Sequence, residues 1–157
     1  MKKILLFVVM LIASLNFVYP CESAAVELLT GGTFYVPIYR SFYHSYGSSK
    51  DAYGLTSTTC LHNTDPKQAI VVSAIDHYDS NGKLVKKLLF EPITIKPWSS
   101  KEISILPAAQ PEDFGANLIV RWKSEQPANL PLVEVMMVGQ VLNRGVSFLT
   151  QGQEIKE

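Results

Sequence analysis

Three runs of strand-forming residues, separated by two strong turn signals, occupy Leu55 to Leu89. The turns are Asn63-Thr64-Asp65-Pro66 and Asp79-Ser80-Asn81-Gly82. Asn63 and Asp65 have side chains that cap their own turn, Pro66 fixes φ within it, and Gly82 takes positive φ freely. The spacing predicts an antiparallel meander. From Leu55 to His62, alternation sets Leu55, Ser57, Thr59 and Leu61 on one face and Thr56, Thr58, Cys60 and His62 on the other. Ile70 to Tyr78 alternates less cleanly, because Ile70 and Val72 share one parity while Val71 and Ile75 share the other. Either both faces are covered or a bulge shifts the register near Ala74. Leu84 to Leu89 then returns antiparallel.

The rest of the chain reads as further short strands. Phe34-Tyr35-Val36-Pro37-Ile38-Tyr39 is rich in strand formers, but Pro37 cannot donate to a central ladder, which predicts an edge strand or an extended arm. Phe42 to Gly54 is full of Ser, Tyr and Gly and reads as a long loop. Ile93-Thr94-Ile95 is a short strand, Pro97-Trp98-Ser99-Ser100 a turn, and Lys101 to Leu106 a strand with Ile103 and Ile105 inward. Pro107 to Gly115 is a loop. Asn117 to Trp122 alternates best, with Leu118, Val120 and Trp122 inward and Arg121 outward. Glu125 to Pro131 is a proline-bounded loop, Leu132 to Val141 a central strand, and Val146 to Leu149 the closing strand. The polar tail from Gln151 is expected to fray. The expected fold is all-β: a two-layer antiparallel β-sandwich of immunoglobulin/fibronectin-like architecture, with about eight or nine short strands.

The N-terminus sets the compartment. Lys2 and Lys3 precede an apolar run from Ile4 to Ile12 that continues almost uninterrupted to Val18, and Tyr19-Pro20 ends it. Ser23-Ala24-Ala25 supplies small residues for cleavage, so residues 1–25 have the pattern of a secretory signal peptide. The run falls short of the ~20 residues that a membrane span requires. No later stretch reaches that length, so export to the periplasm or beyond is expected, with no membrane span after cleavage. An alternative is a lipid anchor on Cys21, although Val18-Tyr19-Pro20 is a poor lead-in for a lipoprotein signal. Cleavage of the 157-residue chain after Ala25 leaves 132 residues, enough for one ordinary core: a lead at 26–33, one domain at 34–152 and a tail at 153–157. It removes two of 14 basic and one of 14 acidic residues, leaving a near-neutral chain that offers nucleic acid no basic patch. It also leaves Cys60 as the one cysteine, which excludes a disulfide framework.

Candidate sites are few. Between Phe34 and Tyr53 lie seven of the thirteen aromatic residues that follow the leader. The mixture of Tyr, Ser and Gly from Ser41 to Gly54 resembles a paratope, which combines rigid rings with adaptable hydroxyls. Phe42, Tyr43, His44, Tyr46 and Tyr53 are therefore the expected binding surface for a protein, a peptide or a glycan; the competing expectation is that these rings plug an open end of the sandwich. Cys60 and His62 share a strand face and form the alternative, a copper or zinc site completed by His44 or His77 and by Met136 or Met137. A Cys-x-His pair alone is a weak signal, and a half-buried cysteine acting as a small hydrophobe explains it as well. Asp76, Asp79 and Asn81 resemble half of a calcium loop, but Gly82 falls fourth from Asp79 and position twelve is Phe90, so hairpin chemistry is the better account. Ser147 in Gly145-Val146-Ser147-Phe148 lacks the nucleophile-elbow pattern. Glu134, set among apolar residues, is the carboxylate expected to be semi-buried. With no catalytic or cofactor motif, the expectation is a non-catalytic chain without a cofactor.

Several of these segments together carry a resemblance. They are Tyr35-Val36-Pro37-Ile38-Tyr39, Asn63-Thr64-Asp65-Pro66, Asp76 to Val85, Asn117 to Trp122, Val133 to Gly139 and Gly145-Val146-Ser147-Phe148. In this order the chain resembles the exported bacterial family known as domain of unknown function 3124, over roughly Phe34 to Gly152. The resemblance implies export and a single domain, and brings no activity with it. The family pattern has an aromatic pair where this chain has His77-Tyr78, which implies that His77 is not a shared functional residue.

Overall fold

The computed structural model of the chain describes residues 27–46, 49–105, 115–141 and 143–156; over 43–46 and 49–52 the description is of the backbone. The expected leader and Cys21 lie outside the described residues. Twelve strands run through them: β1 Leu29–Tyr39, β2 Ser41–Tyr46, β3 Ser49–Gly54, β4 Thr56–His62, β5 Ile70–Tyr78, β6 Leu84–Lys87, β7 Ile93–Ile95, β8 Ser100–Ile105, β9 Gly115–Ala128, β10 Leu132–Val141, β11 Arg144–Gln151 and β12 Gln153–Ile155. One sheet has the order β12-β1-β9-β5-β6 with β7 also on β5, a second has the order β11-β10-β4-β8, and β2 and β3 form a separate hairpin. All pairings are antiparallel. The chain is therefore an all-β protein with the layers of a sandwich, and it is divided more finely than into eight or nine strands.

Alternation decides which side of each strand is buried. Leu55, Ser57, Thr59 and Leu61 face inward, as expected, and Cys60 and His62 lie half-exposed on the other face. Val133, Val135 and Met137 of β10 face the same way as that buried row. Phe34, Val36 and Ile38 of β1, with Leu118, Val120 and Trp122 of β9, form the matching inner face of the first sheet. Each such side chain taken fully out of water contributes about 1.5–3 kcal/mol, so β1, β5, β9 and β10 dominate the core. β6 is exposed along its whole length and adds little. The mixed parity of β5 has its cause in a bulge: the register on β9 passes from Val72↔Trp122 to Ala74↔Arg121. Ser73 is the extra residue, and its hydroxyl donates to the Arg121 carbonyl at 3.2 Å. The phase change lets Ile70, Val72 and Ile75 all point into the core.

Four expectations need correction. Phe42 to Gly54 is a hairpin and not a long loop, with Phe42 opposite Tyr53 and Tyr46 opposite Ser49. Polar Ser and Tyr residues pair well across strands, and the reading from Gly and Ser content missed this. Glu125 to Ala128 extends β9, where Ala128 pairs with Leu29 after a register shift. The lead likewise belongs to β1 from Leu29 onward. The tail does not fray: Gln153–Ile155 leaves β11 and pairs with Thr33, Phe34 and Tyr35 in the opposite sheet. Because β12 stops at Tyr35, the flank of β1 beside Pro37 pairs with no strand among the described residues. The Pro37 carbonyl accepts the Thr150 hydroxyl at 2.7 Å, so that residue turns both its carbonyl and its missing N–H away from β9.

At one end of the sandwich a polar cluster joins three connections. The Asn63 amide donates to the carbonyls of Gln68 (2.8 Å), Ile95 (3.1 Å) and Lys96 (3.1 Å), while its oxygen accepts the Asp65 N–H at 3.0 Å. Asp65 accepts the N–H groups of Lys67 (2.8 Å) and Gln68 (2.7 Å) on one oxygen and of Asn129 (2.9 Å) on the other. The Thr64 hydroxyl donates to Leu130 O at 2.9 Å. Both Asn63 and Asp65 are buried. Backbone donors from Gln68, then Asn129 and Lys67, hold the Asp65 carboxyl below its ordinary value. Trp98, in the adjoining turn, has φ of 57° and is 77% exposed, a bulky residue held in the left-handed region. Its N–H donates to Asp65 O at 3.2 Å.

Two outcomes follow from this cluster. Asn63→Ala strands buried carbonyls and an N–H, and thermal or urea melts will show a loss of about 2–4 kcal/mol. Asp65 has its lowered value only in the folded state, so its stabilisation is complete above the ordinary aspartate range. That stabilisation is lost as pH falls through the native value. Asp65→Asn therefore melts below the wild type at neutral pH, and the two melting curves converge in acid.

Candidate functional site

The end of the sandwich opposite the polar cluster carries the aromatic hairpin. Register places Phe42 against Tyr53, and their rings stack with centroids 5.7 Å apart at 25°. Phe148 of β11 meets Phe42 edge-on at 5.9 Å and 62°. Phe42 is half-buried against the core and Phe148 is 42% exposed. Around them lies a cavity of about 280 Å³, lined by Tyr39, Ser41, Phe42, Leu55 and Phe148. The walls are apolar except for the buried Ser41 and the Tyr39 phenol.

Each wall has a local cause. Tyr39 ends β1, and its N–H donates to the Met137 sulfur at 3.1 Å, which fixes the exit of the chain. The Leu55 N–H donates to Arg40 O at 2.9 Å and closes the base of the hairpin. Gly139 of β10 lets that base approach: a Cβ there would lie 2.8 Å from Leu55 Cδ2 and 2.9 Å from Gly54 O. Phe148 comes from β11, where it pairs with Met137.

Of the residues expected from sequence, the structure brings Phe42 and Tyr53 together. Tyr43, His44 and Tyr46 pair with Ala52, Asp51 and Ser49, and their description stops at the backbone. Tyr39, Leu55 and Phe148 complete the cradle and were missed as site residues. Tyr39 and Leu55 read as strand residues bordering the hairpin. Phe148 lies more than a hundred residues along the chain from Phe42, and nothing near it in sequence marks the contact.

Cys60 and His62 sit on the outer face of the second sheet, away from this cradle. Cys60 lies between Glu134 of β10 and Glu102 of β8 in register. His62 Nδ1 is 2.7 Å from Ser100 Oγ, and Nε2 is 3.9 Å from Glu134. His77 is buried in the other sheet and Met137 faces the core, so neither joins Cys60. Met136 is on the same outer face, opposite Thr58. Among the described residues no three His, Cys, Asp or Glu side chains are grouped to hold a metal. Partial burial, then Glu102 and Glu134, push the Cys60 thiol above its ordinary value. In the Asp79 turn, the carboxylate already accepts the N–H groups of Asn81 (2.9 Å) and Lys83 (2.8 Å), and Gly82 has φ of 77°. Hairpin chemistry accounts for that carboxylate.

The fold and site thus define a small β-sandwich with one end tied by polar bonds and the other carrying an apolar cradle. The chain belongs to the family described as "Protein of unknown function (DUF3124)", whose model matches residues 31–155. No curated protein matches it in sequence. A crystal structure of Thermotoga maritima 1070 aligns with 14% identity and a TM-score of 0.44, over 78% of this chain and 92% of that one. A likeness at that level bears on neither fold nor function.

The surroundings of Cys60 yield a test. Neutralising a neighbour by Glu102→Gln or Glu134→Gln lowers the thiol's pKa, so alkylation by iodoacetamide at a fixed mildly alkaline pH is faster in both variants. Equal rates in wild type and variants would show that neither carboxylate acts on the thiol.

Proposed function

We propose that this chain is an exported, non-catalytic binding module of the cell envelope that seats one apolar side chain of a protein or peptide partner in the cradle. The observation that carries the reading is the cavity at the hairpin base, walled by Tyr39, Phe42, Leu55 and Phe148. Its volume, about 280 Å³, falls just below the roughly 300–1,000 Å³ of pockets that enclose a whole small ligand. It suits a ring or a branched aliphatic group presented on a larger partner. Phenylalanine walls with few polar groups favour a peptide side chain over a sugar, whose hydroxyls need partners. Export is supported by the basic, apolar and small-residue segments of residues 1–25.

Burying one such side chain is worth about 1.5–3 kcal/mol before the cost of association, so an isolated fragment binds weakly. Titrating N-acetyl-phenylalanine amide and N-acetyl-leucine amide at millimolar concentration will give saturable NMR shifts centred on Phe42, Leu55 and Phe148. Phe148→Ala will remove them with little change in melting temperature, since that ring is partly exposed. Methyl glucoside will leave the spectrum unchanged. Shifts caused by the glucoside alone, or none at these residues, would sink the reading.

A further inference from the structure

Every open sheet has free edges, and a free edge is a template for another strand. Among the described residues, β6, β7, β8, β11 and β12 have a free edge in the two large sheets, and the separate β2–β3 hairpin has free edges of its own. In the two large sheets, charge or shortness protects four of them: β6 has Lys86 and Lys87, β8 has Lys101 and Glu102, β12 is three residues long with Glu154, and β7 is only three residues long. β11 has neither protection. It is eight residues long, and from Gly145 to Gln151 it holds no charge and no proline. Two large apolar residues stand exposed on it, Phe148 at 42% and Leu149 at 62%.

The hydrogen-bond phase of that edge can be derived. Gly152 donates its N–H to Val133 O at 2.8 Å, which makes Gly152 and Val133 a hydrogen-bonded pair. Such pairs alternate along an antiparallel ladder. Counting back through the register, Thr150, Phe148, Val146 and Arg144 turn their backbone groups to β10. Ser147, Leu149, Gly145 and Gln151 turn theirs to the open edge. The same four residues share the outer face of the sheet with Met136 and Val138, which are 51% and 45% exposed.

We propose that a second copy of this chain docks here, β11 against β11, antiparallel about a two-fold axis at Ser147. Opposed residues of one continuous sheet share a face, so the axis must pass through a residue. At Ser147 it sets two open-edge residues together as a hydrogen-bonded pair, and Leu149 falls opposite Gly145 of the second copy. Gly145 has no side chain to contest that space. Val146 then faces Phe148, and Arg144, the one charge on the strand, faces Thr150. No like charges oppose each other, and the four-stranded sheet becomes a continuous eight-stranded one, with Leu149, Met136 and Val138 forming an apolar band on both sides of the axis.

Sedimentation velocity on the purified chain, from a few to a few hundred micromolar, tests this. Wild type shows a concentration-dependent dimer. Ser147→Pro removes an open-edge N–H without touching the β10 ladder, and Leu149→Lys places a charge at the exposed seam; each weakens dimerisation at least tenfold. Both variants keep the wild-type far-ultraviolet dichroism, and should Ser147→Pro fail to fold, Leu149→Lys decides. Val85→Lys, on the edge strand β6, leaves the dimer unchanged. A monomeric wild type overturns the proposal, including the case in which β11 takes an extended segment of another protein. A dimer that Leu149→Lys leaves intact overturns it equally.

Discussion

The side-chain amide of Asn63 binds carbonyls from two separate connections, and most of the architecture depends on that bond set. Three of the chain's crossings between the two sheets, those after β4, after β7 and after β9, meet at this end. Asn63 ties the first to the second, while Asp65 and Thr64 tie the first to the third. Apolar packing holds sheets together but is non-directional, and allows them to slide and rotate. Hydrogen bonds to buried carbonyls have fixed geometry and leave unsatisfied groups when broken. The cluster therefore sets how the two layers sit on each other, and the core fills the space so defined.

With Cys60 free and half-buried and no disulfide among the described residues, this constraint takes the place that a covalent staple has in many small domains. It also separates two tasks by distance. The polar end is saturated with internal bonds. The hairpin end has its backbone closed by Leu55 and Arg40, yet leaves apolar walls facing an unfilled space. The cradle lies far from the structural knot, so a change at a residue such as Phe148 leaves those three crossings undisturbed.

Period-two alternation made much of this readable in the sequence. The inward row of β4 and the best-alternating segment of β9 follow from residue parity, because a half-buried strand must segregate its side chains; the mixed parity of β5 left a bulge near Ala74 or two covered faces, and the register on β9 decides for the bulge. The Asn63-Thr64-Asp65-Pro66 turn was legible as a turn, but its long-range bonds were not, since the acceptors at Ile95 and Lys96 lie more than thirty residues away. The β2–β3 hairpin was hidden for a different reason. Its strands, Ser-Phe-Tyr-His-Ser-Tyr and Ser-Lys-Asp-Ala-Tyr-Gly, lack an aliphatic row to reveal the period. β12 was hidden because three residues are too few to show any pattern. For the cradle, the aromatic cluster in the sequence contains Phe42, but the lining also required β11, which only the sheet order brings to Phe42.

The exposed side of β11 and the cradle are linked through one residue. Phe148 turns its backbone to β10 and its ring toward Phe42, whereas its neighbours Ser147 and Leu149 turn theirs to the open edge. A strand added at that edge therefore lies beside the mouth of the cradle without replacing any of its walls. Pairing there restricts the motion of β11, and with it the position of the Phe148 ring. A rigid wall loses less entropy when a side chain enters than a mobile one does. Under the two proposals made above, edge pairing and occupation of the cradle would be positively coupled through the order of a single strand, and by linkage each would strengthen the other to the same degree.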